Sequence, residues 1–191
     1  MYQNGITAPS SRAPWGWGAV TTRRLAERIE YSQPVLYSHF RGKREIIGAV
    51  ALEGAAEMAA ALRAAASAAD GPRARVATLA RTYLDYAERN PAVYDVMFQL
   101  DGGLAFAQED TPEPLKDAFA ALLENLGEAA GDDVHPALFT ALFRASPHGL
   151  ATLTRSGRLP QADADRRVEL LVDRARRDLN PDAGRTHDRH P

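Results

Sequence analysis

The places where a helix cannot continue decide what this chain can become. Asp70-Gly71-Pro72, Asn90-Pro91, Asp101-Gly102-Gly103, Pro112, Gly131-Asp132-Asp133, Pro136 and Ser156-Gly157 interrupt it at intervals. Proline has no amide hydrogen and a fixed φ, so it suits the first turn of a helix; glycine behind a periodic run ends one. Between these breaks the apolar residues return every three or four positions, the period of a helix with one buried face. Ile46, Ile47, Val50, Ala51, Met58 and Leu62 form such a stripe in a helix starting near Lys43. Val76, Leu79, Tyr83 and Tyr86 form the next, over about Pro72 to Arg89. Shorter segments run from Pro91 to Leu100 and from Pro112 to about Ala130, the latter with Leu115, Phe119, Leu122, Leu123 and Leu126 inward. Helices over Pro136–Arg155 and Gln161–Leu179 complete the series, and Pro147 should kink the first of these. No segment alternates with the period of a strand. The expected class is all-α.

Composition removes several functions. There is no Cys, hence no disulfide, zinc-thiolate site or thiol nucleophile. No run of about 18 apolar residues is present to span a membrane, and the first 20 residues carry neither the basic start nor the apolar stretch of a signal peptide. The expectation is a cytoplasmic protein. The histidines (His39, His135, His148, His187 and His190) show no metal-ligand spacing on a helix. Gly102-Gly103 is no phosphate loop, and no serine sits in a nucleophile elbow. No catalytic residue, metal or cofactor is therefore assigned.

Charge is unevenly spread. Residues 1–50 carry 7 basic and 3 acidic side chains; the remainder carries 16 and 22. A basic end on an acidic body fits either an anionic partner such as nucleic acid or a solvated face. Within the basic end, Thr22, Leu25, Ala26 and Ile29 make one apolar face of a short helix. Ser32 can cap a second helix that holds Pro34 in its first turn and turns Leu36 and Phe40 inward. Two short helices with basic surroundings are the outline of a helix-turn-helix. In that outline Gln33, Pro34 and Val35 open the second helix and Ser38 follows: an amide for an adenine edge and apolar groups for a thymine methyl. Thr22, Tyr37, His39 and Lys43 end in donors suited to phosphate oxygens.

The stretch LAERIEYSQPVLYSHFRGKREIIGAV makes the outline specific. Leu25-Ala26, Ser32, Leu36-Tyr37, His39-Phe40, Lys43 and the apolar pair Ile46-Ile47 resemble the helix-turn-helix signature of the TetR family of bacterial repressors. YLDYAERNPAVYDVMF and PHGLATLTRSGRLP resemble the C-terminal domain of a TetR subgroup with a His-Gly pair in its penultimate helix, here His148-Gly149. Many relatives carry Trp four residues before that His; this chain has Arg144. The resemblance implies a reading head, Thr22, Ser32, Gln33, Pro34, Val35, Tyr37, Ser38, His39 and Lys43, followed by a helical ligand-binding and dimerisation bundle. It implies a homodimer on a near-palindromic operator of double-stranded DNA.

The expected organisation is an irregular segment over 1–18, the helix-turn-helix over 19–50, the bundle over 51–179 and a disordered tail over 180–191. Tyr94, Phe98, Phe119, Phe143 and His148 are candidates to surround a small apolar ligand, with plain core packing as the competing reading. No buried ion-pair pattern is visible near them. Leu138, Leu142, Leu150, Leu153, Val168, Leu171 and Val172 are candidates for a dimer interface. TetR relatives open with an amphipathic helix, which Pro9, Pro14 and the glycines of residues 1–18 do not provide, and Glu30 stands at a turn position where relatives usually have Gly. Two functions follow: a ligand-responsive repressor, or a helical ligand- or partner-binding module with impaired DNA binding.

Overall fold

A computed structural model describes residues 42–99, 102–127 and 135–179. The chain divides into two units, Met1–Lys43 and Arg44–Pro191. One helix runs unbroken from Lys43 to Ser67, with Ile46, Ile47 and Val50 buried. The expected irregular segment over 1–18, the reading-head positions from Thr22 to His39 and the tail over 180–191 lie outside the described residues.

The ends of the helices between Asp70 and Gly157 fall within a few residues of the breaks named above. The described α-helices are α1 (Lys43–Ser67), α2 (Gly71–Arg89), α3 (Pro91–Gln99), α4 (Glu113–Gly127), α5 (Pro136–Arg155) and α6 (Ala164–Leu179), the last preceded by a 3-10 turn over Gln161–Asp163. No strand occurs among the described residues. None of the described helices is long and apolar enough to cross a membrane.

The breaks work through specific backbone groups. Asn90 closes α2 by donating its N–H to the Tyr86 carbonyl, and its own carbonyl accepts from Tyr94 N at 2.9 Å. With Pro91 in the first turn, α3 therefore begins as α2 ends. At the end of α5, Gly157 takes φ +72. Its N–H reaches Thr154 O while Arg158 N reaches Leu153 O, the paired bonds of a Schellman cap. A residue with Cβ at position 157 would be strained there. Pro147 is buried inside α5, which continues on both sides of it. Its missing N–H deprives the Phe143 carbonyl of the usual i+4 donor.

Helix α2 is central. It packs on α5 and α6, touches α4, and meets α3 across the Asn90 corner; α4 packs on α5. Val168 and Val172, expected at a dimer interface, are only 4% and 2% exposed within the protomer. They belong to the core, since α6 packs on α2. Helix α1 joins through small residues. Gly54 lies against Val93 and Met97 of α3 so closely that a side chain there would strike both, and Tyr86 Oη donates to the Gly54 carbonyl at 3.0 Å, within reach of Glu57 Oε2. Farther along, Arg63 forms a two-pronged pair with Asp117 of α4 at 2.7 and 2.8 Å.

Candidate functional site

The corner at Asn90 folds α3 back so that its Tyr94 meets Tyr83 of α2, ring centroids 6.1 Å apart and edge to face. One turn on, Phe98 lies 4.7 Å from the Tyr94 ring. Helix α5 brings His148 against both, its ring 5.7 Å from Tyr94 and 4.8 Å from Phe98. Tyr94 Oη and His148 Nδ1 are 2.7 Å apart. Burial, and then the neighbouring Tyr83 phenol, push the Tyr94 hydroxyl well above the usual phenol range. Burial, followed by the charge of Arg144, pushes His148 down from 6.5. Both groups thus favour their neutral forms, and the imidazole tautomer sets which of them donates.

The sequence candidates separate into two groups. Tyr94, Phe98 and His148 come together. Phe143 instead stacks on Phe139 at 6.4 Å, and Phe119 lies under the Arg144 guanidinium, 5.9 Å from carbon to ring centroid. Arg144 links the groups electrostatically, because its charge acts on both His148 and Tyr83. Lys43, the first residue of α1, is exposed.

Three features were not foreseen. The first is an ion pair where none was expected: Arg155 of α5 reaches Asp95 of α3 at 2.8 Å and the Pro91 carbonyl at 3.2 Å, with its guanidinium over the Tyr94 ring. The pair spans 60 residues of sequence, so no local spacing signals it. The second is Tyr83, read as core. It is only 1% exposed, and its hydroxyl finds no hydrogen-bond partner among the described residues. The signal was present: a buried tyrosine normally directs its hydroxyl to a partner, and the periodicity offered none. The third is His135, which caps α5 by accepting from Leu138 N at 3.4 Å.

No cluster of His, Asp or Glu able to hold a metal is present among the described residues. The cluster is a packed aromatic group, Tyr83, Tyr94, Phe98 and His148, crossed by one His–Tyr hydrogen bond.

Comparison with known proteins bears on both units. The model of the bacterial regulatory proteins of the tetR family matches residues 15–50. That of the tetracyclin repressor-like C-terminal domain matches residues 76–175, more than half of the chain. The chain belongs to the TetR family. TetR proteins are transcriptional regulators and not enzymes. The tetracycline repressor proteins of class C and of class A from transposon 1721, both of Escherichia coli, are each 53% identical to it over 36 residues, 19% of this chain. That match spans only 16% and 17% of those proteins. Across the fold, a solved structure of a protein of unknown function from Rhodococcus sp. RHA1 superposes with a TM-score of 0.68 at 25% identity, covering 87% of this chain and 88% of that one.

Proposed function

We propose that this TetR-family protein is a ligand-responsive, DNA-binding transcriptional repressor that acts as a homodimer. The observation that carries the reading is the pairing, in one chain, of the tetR regulatory match over residues 15–50 with an aromatic cluster on α2, α3 and α5. Gln33, Pro34 and Val35 read base edges, with Ser32 capping their helix and Ser38 farther along it. Thr22, Tyr37, His39 and Lys43 hold phosphates. Tyr94, Phe98 and His148 form the ligand site, with Phe119 and Phe143 at its margin.

Helix α3 supports a route between the two functions. One face carries Tyr94 and Phe98; Val93 and Met97 press on Gly54 of α1. Helix α1 begins at Lys43, where the two units divide. A ligand that shifts α3 moves the helix leading to the reading head, and its differential affinity for the two arrangements sets the size of the response. For the dimer, the supporting feature is an uncovered apolar strip. Leu138 and Leu142, one turn apart on α5, are 64% and 71% exposed, and Leu170 of α6 is 54% exposed. Such a strip fits a four-helix contact between two copies.

The second reading, a binding module without DNA recognition, is favoured by Pro9 and Pro14 in the segment where relatives place their first helix. A gel-shift titration against the DNA flanking its own gene, repeated over a range of salt, decides between the two. Repression predicts specific binding that weakens steeply with salt; the absence of any salt-dependent binding leaves the module.

A further inference from the structure

Two glycines from different elements meet near the start of α1. Gly48 is buried in the second turn of that helix, and Gly102 comes three positions after Gln99, the last residue of α3. A Cβ added at Gly48 would stand 2.9 Å from the Gly102 carbonyl oxygen, and one added at Gly102 would stand 3.0 Å from both Cα and N of Gly48. The two backbones touch directly, an approach open to residues without a side chain. Leu104 Cδ2 lies 3.5 Å from the Cβ position of Gly48, and Ile47 Cγ2 lies 3.3 Å from that of Gly102. Gly103, at φ +70, runs alongside the Arg44 side chain, whose Nε would be 2.8 Å from an added Cβ. The far end of the same segment is tied down as well. Thr111 is buried and its hydroxyl accepts from Gln108 N at 3.0 Å, while Lys116 of α4 donates to the Glu109 carbonyl at 2.9 Å.

Six residues on, Gly54 makes the other close approach of α1, against Val93 and Met97 of α3. Helical geometry sets the two glycines about 9 Å apart along α1 and about 120° apart around it. Helix α3 and the segment behind it thus hold α1 on two faces and at two heights. One contact would let α1 roll or slide against α3; two contacts so placed oppose both motions. We propose that the Gly48–Gly102 contact is a joint that fixes the first turns of α1 to α3, making Gly48 and Gly102 positioning residues that set DNA affinity without touching DNA or ligand. This rests on the reading of the chain as a DNA-binding regulator whose ligand acts through α3. Backbone packed on backbone has no rotamer to give way, so the joint passes a displacement on instead of absorbing it.

The test uses the full-length protein and compares Gly48→Ala, Leu104→Ala and Val172→Ala. The first wedges the joint, and the second loosens it without overpacking. The third opens a cavity where α6 packs on α2, a control for lost stability alone. Binding to the DNA flanking its own gene is measured by fluorescence anisotropy over a range of salt, together with hydrogen exchange of the α1 amides. Gly48→Ala is expected to weaken specific binding about fivefold or more, with the salt slope unchanged because no phosphate partner is lost. It should also speed exchange at residues 46–50. Leu104→Ala should act in the same direction to a smaller degree, and Val172→Ala should leave affinity within about twofold. Should Gly48→Ala fail to fold, Leu104→Ala against Val172→Ala decides. Faster exchange with unchanged DNA affinity makes the joint part of the fold alone and overturns the proposal, while the regulator reading stands. Equal losses in Val172→Ala and in the joint variants overturn it too, since stability then accounts for the effect. If the unsubstituted protein shows no specific DNA binding, the regulator reading fails and the role of the joint fails with it.

Discussion

The Tyr94 hydroxyl and Nδ1 of His148 meet at 2.7 Å, joining α3 to α5 through a hydrogen bond. Burial holds His148 below its ordinary 6.5. The consequence for stability has a definite sign. In the folded state the group resists protonation, so the unfolded chain binds more protons as pH falls through 6.5. The contribution is fully present above that value and is lost as pH falls from 6.5 toward the depressed folded value. Melting temperatures measured between pH 8 and 5 should decline across that window, and His148→Gln should flatten the decline. An identical pH profile in the variant removes His148 from the account.

The contact at Gly54 predicts an overpacking penalty. An added Cβ would overlap Val93 Cγ1 and come within 2.9 Å of Met97 Sδ. Gly54→Ala should cost about 1–3 kcal/mol, seen as a melting temperature lower by several degrees. Gly149, in α5, has open space where a Cβ would go. Gly149→Ala should be neutral or stabilising by up to about 1 kcal/mol, through helix propensity. Equal effects at the two sites would mean that the α1–α3 contact is looser than described.

The apolar strip on α5 predicts a self-association that charge can break. Leu138→Glu with Leu142→Glu should leave the helical circular-dichroism signal intact, since both side chains are exposed in the protomer. It should raise the dimer dissociation constant by about a hundredfold, equivalent to roughly 2.7 kcal/mol. Sedimentation at micromolar concentration reads this directly. A monomeric parent protein would remove the dimer from the proposed function.

In the reading head, a point charge and a planar amide should behave differently. Lys43→Ala should weaken binding to all DNA sequences alike and flatten the salt slope by about one unit per head. Gln33→Ala should cost roughly 1–3 kcal/mol at one base position and relax specificity there. Fluorescence anisotropy with operator and scrambled duplexes distinguishes the two. If both changes lower both affinities by the same factor, the division of roles is wrong.

Helix order and helix ends were legible in the amino-acid sequence because they are local properties. Asn90-Pro91 and Ser156-Gly157 stop helices through bonds to residues three to five positions away, and the apolar period reports a face without reporting what it meets. Tyr94, Phe98 and His148 could be nominated from residue type alone, and the reading-head candidates from their match to a family pattern. Partners could not be nominated in the same way. That Phe119 lies under Arg144 while Phe143 stacks on Phe139 depends on where α4 and α5 cross. Val168 and Val172 looked equal to Leu138 and Leu142 as apolar helix positions; α6 packs against α2, which buries the first pair and leaves the second uncovered. The Arg155–Asp95 pair arises between elements far apart in the chain. Hydrogen bonds and ion pairs depend on distance and direction, and those are set only when the helices have packed.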